Sequence, residues 1–384
     1  MRIGIDIRPL AAGRRTGVEE YTIGLLSELF RSGTEHEYVL FFNAWGKAEP
    51  DLSWAEGFPN VTIRRFQYPN RLLNLSLWYL QCPKLDRLVG GTDVFFMPNL
   101  NFAAFSRRTK VIVTAHDLSF EFFPETFSWK QRLWHFAINF RSLLRRADRI
   151  IAVSASTKDD LVTRYRLLAE KIEVIHSGLD ERFRVMDRND LSLLAVKEKY
   201  RLPYKFILYL GTIEPRKNLG ALLSAFEVYQ RSAVGDEMTR HELVLAGRPG
   251  WKYVELFRAI DQSPVRDKVH VIGYVDDADK PALYNLASLF VYPSFYEGFG
   301  FPPLEALSSG VPVIASHSAS LPEVIGEAGV LIDPYRPDEL YQSMRQILSD
   351  RDYQIRLRER ALARRSDFTW SAAGQAFLAL LGRL

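Results

Sequence analysis

Glu297 and Glu305 are the residues whose type and spacing most directly suggest chemistry. Glu297 begins a turn whose next residues are Gly298, Phe299 and Gly300. Glu305 lies in the helix predicted to follow, where two prolines mark the first turn. Glycines let backbone N–H groups approach a ligand closely, and a helix start carries unsatisfied donors and a partial positive charge. The turn therefore suits a phosphate, and the two carboxylates could accept hydrogen bonds from sugar or ribose hydroxyls.

Arg216 and Lys217 form a second candidate group, a cationic pair on a loop. The loop begins with Gly211 and Thr212, directly after an apolar strand predicted over residues 206–210, and it leads into a helix. Arg216 offers a planar fork of donors to phosphate oxygens, whereas Lys217 offers a compact point charge. Basic side chains on loops are usually only solvated, but a position between a strand end and a helix start favours a diphosphate-binding pair.

His116 and Gly17 are two further candidates in the first half of the chain. His116 ends the strand predicted over residues 111–115 and precedes Asp117, so it lies where parallel sheets bind ligands. A lone histidine is more often structural, and a glycine before a helix, as at Gly17, is common in any α/β fold. The spacing of a dinucleotide-binding G-x-G-x-x-G motif is missing near Gly17, which argues against an NAD-dependent enzyme.

The predicted elements that carry these residues alternate between strand and helix. Strands are predicted over residues 2–7, 38–42, 61–66, 94–97, 111–115, 149–153, 206–210, 243–246, 269–274, 289–292 and 313–315. Helices are predicted over residues 18–30, 72–88, 129–146, 193–200, 337–349, 353–365 and 370–381. This alternation predicts doubly wound α/β sheets with parallel strands. The polar segment 181–192 lacks periodicity and is interpreted as a linker between two domains.

Length and composition narrow the class of protein. The chain has 384 residues, of which 47% are hydrophobic and 25% charged, and this predicts two ordinary globular domains. Its single cysteine, Cys82, excludes an internal disulfide and is compatible with a reducing cytoplasm. We recognise no signal peptide and no apolar run of the roughly 20 residues that a membrane-spanning helix needs. The net charge of +4 is mild and decides no partner.

The acidic run Asp276, Asp277 and Asp279 could suggest a metal site, since hard cations take carboxylate oxygens. The run leads into a predicted helix, where acidic side chains favour the N-terminus. We therefore interpret these residues as helix-start acids and predict no metal site.

The residues around Glu297 resemble the retaining glycosyltransferases of family 4. The run EGFG at 297–300, with Glu305 after it, is similar to that family's pair of glutamates with seven residues between them, and GVPVIAS at 310–316 extends the similarity. Such a glutamate spacing alone occurs by chance in most long proteins, so the EGFG core and the following helix carry the specificity. The run GTIEPRKNLG at 211–220 resembles the family's basic pair, which neutralises the leaving nucleotide.

The resemblance covers nearly the whole chain. It is tight over residues 206–220 and 292–333, moderate over 1–30 and 110–125, and thin over 43–92. It implies two Rossmann-like domains that face each other across a cleft, the GT-B fold.

The implied domains have different substrates. Residues 1–185 would form the N-terminal acceptor domain, to which the C-terminal helix 369–384 returns, and residues 186–368 would form the nucleotide-sugar donor domain. Trp370, Phe377 and other apolar residues of this last helix could dock it on the first domain.

The resemblance also implies roles for single residues. It places Gly17 near the donor phosphate and the acceptor, His116 against the transferring sugar, and the loop with Tyr274 and Val275 against the nucleotide base. The predicted catalytic residues are His116, Arg216, Lys217 and Glu297. The predicted donor-binding residues are Gly17, Gly211, Thr212, Tyr274, Val275, Gly298, Phe299, Gly300 and Glu305.

The implied reaction retains the configuration of the sugar and uses neither a metal ion nor a cofactor. A sugar leaving a nucleotide diphosphate develops positive charge on its ring and negative charge on the phosphate. Arg216, Lys217 and the backbone donors of residues 298–300 would stabilise the negative charge. No carboxylate is clearly placed as a nucleophile, which favours a same-face reaction in which the leaving phosphate takes the acceptor proton. Double displacement stays open.

The run HDLSFEFFPETF at 116–127 looks most like bacterial mannosyltransferases of polysaccharide assembly. We therefore predict GDP-mannose as the donor, with UDP-glucose or another UDP-sugar as the alternative. The predicted acceptor is a saccharide or a lipid-linked saccharide, and no nucleic-acid partner is expected. Two other classes of protein stay open: a non-catalytic subunit that binds a nucleotide sugar, and a phosphorylase-like enzyme, which would need a lysine carrying pyridoxal phosphate.

A helix predicted within residues 127–146 has two interpretations. Apolar residues recur along it at helical spacing, with basic residues near its ends: Trp129, Leu133, Phe136, Phe140, Leu144, Lys130, Arg132, Arg141, Arg145 and Arg146. Such a helix can lie among anionic headgroups, and it can equally cover a buried sheet. Because polysaccharide-building relatives act on lipid-linked acceptors, we expect a cytoplasmic protein with a peripheral contact to the inner face of the cytoplasmic membrane.

Overall fold

The structure, a computed structural model, describes residues 1–12, 16–46, 51–127, 129, 132–133, 138, 140–232 and 241–384. The chain forms two compact units. The first unit comprises Met1–Leu118, Trp129–Gly178 and Phe368–Leu384, and the second comprises Ser119–Ser128 and Leu179–Asp367. The sequence predicted boundaries after residue 185 and before the returning helix at residue 369, whereas residues 119–128 and 179–185 belong to the second unit and residue 368 to the first.

The helices of both units follow the predicted alternation. The α-helices are α1 Gly17–Ser32, α2 Asn70–Leu75, α3 Leu85–Leu88, α4 Ser119–Phe122, α5 Phe140–Arg146, α6 Ala155–Tyr165, α7 Leu191–Lys199, α8 Leu219–Ser232, α9 Val254–Gln262, α10 Lys280–Leu286, α11 Phe301–Ser308, α12 Leu321–Ile325, α13 Pro337–Ser349, α14 Arg351–Arg364 and α15 Trp370–Leu381. Helix α2 continues as a π-helix, Ser76–Leu80. Short 3-10 helices include Arg8–Ala12, Pro124–Thr126, Pro215–Lys217 and Gly326–Ala328.

The first unit contains a sheet of seven parallel strands. These are β1 Arg2–Asp6, β2 Glu37–Asn43, β3 Val61–Phe66, β4 Val94–Met97, β5 Lys110–Ala115, β6 Arg149–Ala152 and β7 Ile172–Val174. Their spatial order is β3-β2-β1-β4-β5-β6-β7, and every neighbouring pair is parallel. The order reverses between β1 and β4, which is the switch point of a doubly wound sheet. Strand β4, with the sequence VFFM, is buried throughout, as a strand covered on both faces requires.

The second unit contains a sheet of six parallel strands. These are β8 Phe206–Leu210, β9 Glu242–Ala246, β10 Val269–Gly273, β11 Leu289–Tyr292, β12 Val313–Ser316 and β13 Val330–Ile332. Their spatial order is β10-β9-β8-β11-β12-β13, again with parallel pairs throughout. The order reverses between β8 and β11, so the loops that follow these two strands lie next to each other at the carboxyl edge.

The C-terminal helix α15 packs against α1 in the first unit, as the sequence predicted. The ring of Trp370 lies so close to Gly24 that a Cβ atom there would come within 2.1 Å of it. Phe377 is fully buried, and its ring meets that of Phe96 at 4.7 Å between centroids. The predicted fold class of two Rossmann-like domains, with the last helix returning to the first, is confirmed.

The helix predicted over residues 72–88 is divided in the structure. The π-helix ends at Gln81, whose φ of 50° lies in the left-handed region, and α3 begins only at Leu85. Apolar residues recur through much of this range, but Pro83 lies between the two pieces and was a usable signal of the break, because proline ends or kinks a helix. The strand β7 was not predicted, because a three-residue strand carries little periodicity.

The segment predicted as a linker is held on the second unit. The side chain of Asn285 on α10 donates to the carbonyl of Arg184 at 2.9 Å and accepts from the backbone N–H of Met186 at 2.9 Å. Phe183 beside them is buried. Polar composition alone could not reveal these contacts, because they depend on a residue about 100 positions away.

Candidate active site

The loops after β8 and β11 bring three predicted site residues together. Arg216 and Lys217 lie in the 3-10 helix Pro215–Lys217 after β8, and Glu297 lies in the loop after β11. Because these strands are neighbours, the two cations and the carboxylate meet at the carboxyl edge of the second sheet. The loop after β8 also approaches the loop after β9, and this contact requires a glycine: a Cβ on Gly247, after β9, would lie 1.8 Å from the carbonyl oxygen of Gly211.

Arg216 is fixed by three partners. Its Nε and Nη2 atoms donate to Oε1 of Glu214, at 3.1 and 2.9 Å. Its Nη1 atom donates to the backbone carbonyl of Tyr296 at 2.7 Å and lies 3.3 Å from Oε2 of Glu297. The guanidinium therefore ties the loop after β8 to the predicted catalytic carboxylate and to the residue before it.

Lys217 and Glu297 form a buried ion pair. The Nζ atom of Lys217 lies 2.5 Å from Oε1 of Glu297 and donates to the hydroxyl of Tyr292 at 3.0 Å. Both charged side chains are at most 10% exposed. Charge-assisted hydrogen bonds are stronger in such surroundings than at the surface, and loss of one partner is correspondingly costly.

The ionisation of this cluster follows from its charges. Burial alone would raise the pKa of Glu297, but Lys217 and Arg216 outweigh that effect, and the pKa lies below its ordinary value. Burial and the adjacent Arg216 lower the pKa of Lys217, although Glu297 opposes this shift. Burial and the carboxylate of Glu297 raise the pKa of Tyr292 well above its ordinary value, so its hydroxyl keeps its proton.

The glycine turn leads into α11 as the sequence predicted. Gly300 is the residue before the first turn of α11, and its φ of 107° is accessible mainly to glycine. The turn is anchored by Ser320, whose buried hydroxyl lies 2.9 Å from the carbonyl oxygen of Glu297 and 2.8 Å from that of Phe299. Gly298 lies between these two residues in the chain and precedes the N-terminus of α11, which favours an anion.

Glu305 lies in α11 and has different partners from Glu297. It is 5% exposed, and its Oε2 atom accepts a hydrogen bond from the hydroxyl of Tyr284 on α10 at 2.7 Å. Burial and the carboxylate raise the pKa of Tyr284 well above its ordinary value, so this hydroxyl remains a donor. The tyrosine thereby fixes the orientation of the carboxylate.

The remaining predicted donor-binding residues of the second unit surround the same edge. Thr212 follows Gly211, and its carbonyl accepts from the hydroxyl of Tyr209 at 3.0 Å. Tyr274 follows β10 and is partly exposed, with the guanidinium of Arg248 4.2 Å from its ring centroid. Val275 beside it is buried.

His116 and Gly17 lie in the first unit. The Nε2 atom of His116 lies 2.8 Å from the carbonyl oxygen of Pro98, and its ring meets the ring of Tyr21 edge-on at 4.8 Å. Because a carbonyl only accepts, Nε2 carries the proton and Nδ1 is left as an acceptor. Burial lowers the pKa of His116, which keeps the ring neutral at pH 7. Gly17 begins α1 after Thr16, whose capping box with Glu19 satisfies the helix start.

The acidic run that could have suggested a metal is paired with a cation. Asp276 and Asp279 lie 2.7 and 2.6 Å from Nζ of Lys199, and Asp277 lies 2.5 Å from Lys280. Within the described residues, no group of three or more His, Cys, Asp or Glu side chains could hold a metal ion.

A segment that follows His116 in the chain packs, in the second unit, beside the loop that carries Glu297. The rings of Phe122 and Phe123 lie 5.5 and 6.0 Å from that of Tyr296. A cavity of about 310 Å³ opens next to this segment, and its lining residues are Glu125, Thr126, Pro215, Lys252, Val254 and Glu255. These residues are not among the predicted site residues.

Three residues of the candidate site were not predicted from the sequence: Glu214, Tyr284 and Ser320. Glu214 lies between the predicted Thr212 and Arg216, and its position one turn from two cations was a usable signal. Tyr284 and Ser320 had no such signal, because their contacts arise only when α10 and the start of α12 pack against the loop.

Comparison with solved structures shows which fold the chain shares with known proteins. The fold is similar to that of Anabaena Alr3699/HepE in complex with UDP and glucose, with a TM-score of 0.75 and 20% identity over 100% of both chains. It is also similar to that of WaaG, a glycosyltransferase involved in lipopolysaccharide biosynthesis, with a TM-score of 0.71 and 15% identity over 98% of this chain and 99% of that one. The architecture is that of a GT-B glycosyltransferase.

Sequence comparison gives the family. The family model described as "Glycosyltransferase Family 4" matches residues 15–183, and that described as "Glycosyl transferases group 1" matches residues 195–364. O-antigen chain mannosyltransferase B of Escherichia coli is 34% identical over 311 residues, which are 81% of this chain and 76% of that protein. The serotype-specific mannosyltransferase WbdA of Escherichia coli is 33% identical over 71% of this chain, which spans only 33% of WbdA. The chain belongs to glycosyltransferase family 4 and is a glycosyltransferase, as the sequence predicted.

Proposed function

We propose that the protein transfers mannose from GDP-mannose to a saccharide or lipid-linked saccharide acceptor in the assembly of a bacterial surface polysaccharide. Transfer retains the configuration of the sugar and uses no metal ion. The observation that carries this proposal is the meeting of Arg216, Lys217 and Glu297 at the carboxyl edge of the second sheet. Two cations at this position match the charge of a nucleotide diphosphate, so they can stabilise it as it leaves.

The cations act on the phosphates of the donor. Lys217 is buried and the side chain of Arg216 is 13% exposed, and both are already oriented by Glu214, Tyr292 and Glu297, so little reorganisation is needed when negative charge develops. The N–H groups of the glycine turn at residues 298–300 and the N-terminus of α11 add donors on the same side. Gly211 and Thr212 are assigned to the opposite wall of the phosphate site.

The other predicted residues are assigned to the sugar and the nucleoside. Glu305, oriented by Tyr284, accepts hydrogen bonds from ribose hydroxyls, and the loop with Tyr274 and Val275 lies against the base. In the first unit, His116 contacts the transferring sugar as a neutral ring, and Gly17 lies near the acceptor. Phe299 closes the turn against the donor.

The electrostatics of Glu297 favour the same-face route. A carboxylate held by two cations, with its pKa lowered, is a weaker nucleophile than an unpaired one. The leaving phosphate is then the group that accepts the proton of the acceptor hydroxyl, and Glu297 orients the cations and the sugar. A glycosyl-enzyme intermediate on Glu297, detected by mass spectrometry after reaction with donor alone, would instead establish double displacement.

The names of the sequence relatives support mannose as the transferred sugar. O-antigen chain mannosyltransferase B and WbdA are mannosyltransferases by name, whereas the HepE structure contains UDP and glucose. The mannosyltransferases share more sequence identity with this chain than the HepE structure does, 34% against 20%. We therefore prefer GDP-mannose over a UDP-sugar as the donor. Calorimetry with GDP and UDP tests this preference: tighter binding of UDP would contradict it.

Turnover distinguishes the enzyme from a nucleotide-sugar-binding subunit. The proposal expects release of GDP from GDP-mannose when mannosyl acceptors are supplied, and no release with Glu297→Ala. Binding of GDP without release, across a panel of saccharide and lipid-linked acceptors, would support the non-catalytic alternative.

A peripheral contact with an anionic membrane is the second part of the proposal. None of the helices in the described part of the chain is long and apolar enough to cross a membrane. Of the helix predicted within residues 127–146, the structure describes α5 and a few residues before it, while Lys130 and Phe136 lie outside the described residues. Phe140 and Leu144 of α5 are buried, which supports its role as a cover for the sheet rather than a membrane helix.

A further inference from the structure

The outer face of α2 and its π-helical continuation exposes large apolar side chains. Leu73 and Leu77 are buried and hold the helix on the first unit. Leu72, Leu75 and Tyr79 recur at positions i, i+3 and i+7, on one side of the helix, and are 64%, 50% and 67% exposed. The helix is therefore apolar on its outer face as well as its inner one.

Neighbouring residues extend this face into a patch. Trp78 and Tyr79 have ring centroids 4.3 Å apart, and Leu80 is 73% exposed. We call the set Leu72, Leu75, Trp78, Tyr79 and Leu80 the α2 patch. Isolated exposed apolar residues are normal on a soluble protein, but a contiguous group of this kind marks a surface that meets a partner.

The charges around the α2 patch restrict the partner. Residues 57–85 contain no Asp or Glu, and they include the basic residues Arg64, Arg65, Arg71 and Lys84. Arg64 and Arg71 are exposed, Arg71 directly precedes Leu72 in the chain, and Arg65 is paired with Glu56. An apolar and aromatic helix face in a segment that carries cations and lacks acidic residues complements the headgroup region of an anionic lipid bilayer.

We infer that the α2 patch is the surface with which the protein docks on an anionic lipid bilayer. The helix lies in the plane of the headgroups, with Leu72, Leu75 and Tyr79 inserted and the guanidinium groups of Arg64 and Arg71 at lipid phosphates. The inference deepens the proposed peripheral contact by naming its surface, and it does not depend on the transfer reaction. The α2 patch is a different surface from the helix predicted within residues 127–146, which stays a prediction.

Vesicle binding tests the inference directly. Wild type is expected to co-sediment with vesicles of phosphatidylglycerol and phosphatidylcholine, and more weakly with phosphatidylcholine alone. The variant Leu72→Ser, Leu75→Ser, Tyr79→Ser should lose at least about tenfold in apparent partition coefficient, because the inserted apolar area is removed. The variant Arg64→Glu, Arg71→Glu should lose binding to the anionic vesicles most strongly at low salt.

A matched control separates a specific surface from general hydrophobicity. Leu191 and Tyr204 of the second unit are 82% and 84% exposed. The variant Leu191→Ser, Tyr204→Ser should bind vesicles as wild type does. Thermal unfolding of each variant checks that the fold is kept, since the buried Leu73 and Leu77 are unchanged.

The single cysteine provides an independent measurement. Cys82 is exposed two residues after Leu80, so a polarity-sensitive fluorophore attached there reports on the patch without any further substitution. Its emission should shift to the blue on addition of anionic vesicles and be quenched by brominated lipids. The same label should respond much less in the Leu72, Leu75, Tyr79 triple variant.

Three results would overturn the inference. Wild type could remain in the supernatant with every vesicle, or the triple variant could pellet like wild type. Alternatively, wild type could form a dimer that the triple variant loses, which would make a second copy of the chain the occupant. Mannosyl transfer to a water-soluble acceptor, measured in parallel, should be the same in wild type and the triple variant, so failure of the reaction and failure of docking remain distinguishable.

Discussion

At the scale of single residues, one carboxylate organises the charges of the site. Glu297 faces both Lys217 and Arg216, while Glu214 takes the remaining side of the guanidinium. The cluster is therefore balanced before a donor enters, with two cations and two carboxylates. In the function we propose, the donor diphosphate adds negative charge beside cations that Glu214, Tyr292 and Glu297 already orient, so the cations can stabilise the leaving phosphate with little reorganisation.

Lys217→Met is expected to reduce turnover much more than a surface substitution does. The variant keeps the bulk of the side chain but removes a charge-assisted contact that strengthens as the phosphate leaves. The loss should be about 30- to 1000-fold in kcat, measured by GDP release. Arg345→Ala, on the exposed side of α13, is the control and should leave kcat unchanged. Near-normal turnover of the Lys217 variant would remove this residue from the reaction.

His116 should make the protein less stable as the pH falls. Burial lowers the pKa of His116 in the folded protein below the ordinary value of 6.5. Between the two pKa values the unfolded chain binds more protons than the folded one, so the free energy of unfolding decreases as pH falls below about 6.5. Between pH 7 and pH 5, the free energy of unfolding of His116→Gln should therefore decrease less than that of wild type. If the free energy of unfolding decreases equally in both proteins, groups other than His116 cause the acid sensitivity.

At the scale of elements, the loop that carries Glu297 depends on a neighbouring helix start. Ser320, before α12, bonds to two carbonyls of this loop, and Arg216 bonds to a third. These contacts hold the loop after β11 in one conformation. The glycines of the loop can adopt the backbone angles of that conformation, and the side chains of Ser320 and Arg216 stabilise it.

Ser320→Ala should destabilise the conformation of the loop that carries Glu297. The substitution removes the one hydroxyl proton that the carbonyls of Glu297 and Phe299 share, which costs about 1–3 kcal/mol in the free energy of unfolding, and GDP should bind more weakly. Urea unfolding and calorimetry measure these effects. Ser318→Ala, in the same turn but only half-buried, should stay within about 0.5 kcal/mol of wild type. If both variants behave alike, the hydroxyl of Ser320 does not anchor the loop.

The sequence predicted those parts of the site that follow from strand ends. Arg216, Lys217 and Glu297 could be placed together because neighbouring parallel strands end at a common edge, and their loops were recognisable. Tyr284 and Ser320 could not be placed, since their hydroxyls meet Glu305 and the loop only through packing between helices. The division of the predicted helix 72–88 could have been predicted, because Pro83 lies within this range and proline is poorly tolerated in a helix interior.

At the scale of the whole molecule, the packing of α15 on α1 should limit substitution at one glycine. Gly24→Ala would bring a Cβ into the ring of Trp370 and should destabilise the protein by about 1–3 kcal/mol. Gly220→Ala, in α8, meets no atom within 4 Å and should stabilise it by about 0.4–1 kcal/mol. Denaturant unfolding of both variants measures the contrast, and an increase in stability for Gly24→Ala would contradict the packing.

Activity of the whole protein should survive a chelator. The Arg216–Lys217 pair supplies the positive charge that a divalent cation would otherwise bring to the diphosphate. GDP release should therefore be unchanged in EDTA. Complete loss of activity in EDTA, restored by magnesium or manganese, would show that the pair is insufficient.

The return of α15 to the first unit has a consequence for synthesis on the ribosome. Residues 179–367, most of the second unit, leave the ribosome before Phe368–Leu384, which complete the first unit. The domain that is translated first is therefore the one finished last, and the surface of α1 around Gly24 stays uncovered while nearly half of the chain is still being made. During that interval the nascent protein exposes the surface of α1 that α15 later covers, and transiently exposed apolar surface of this kind is a target of chaperones.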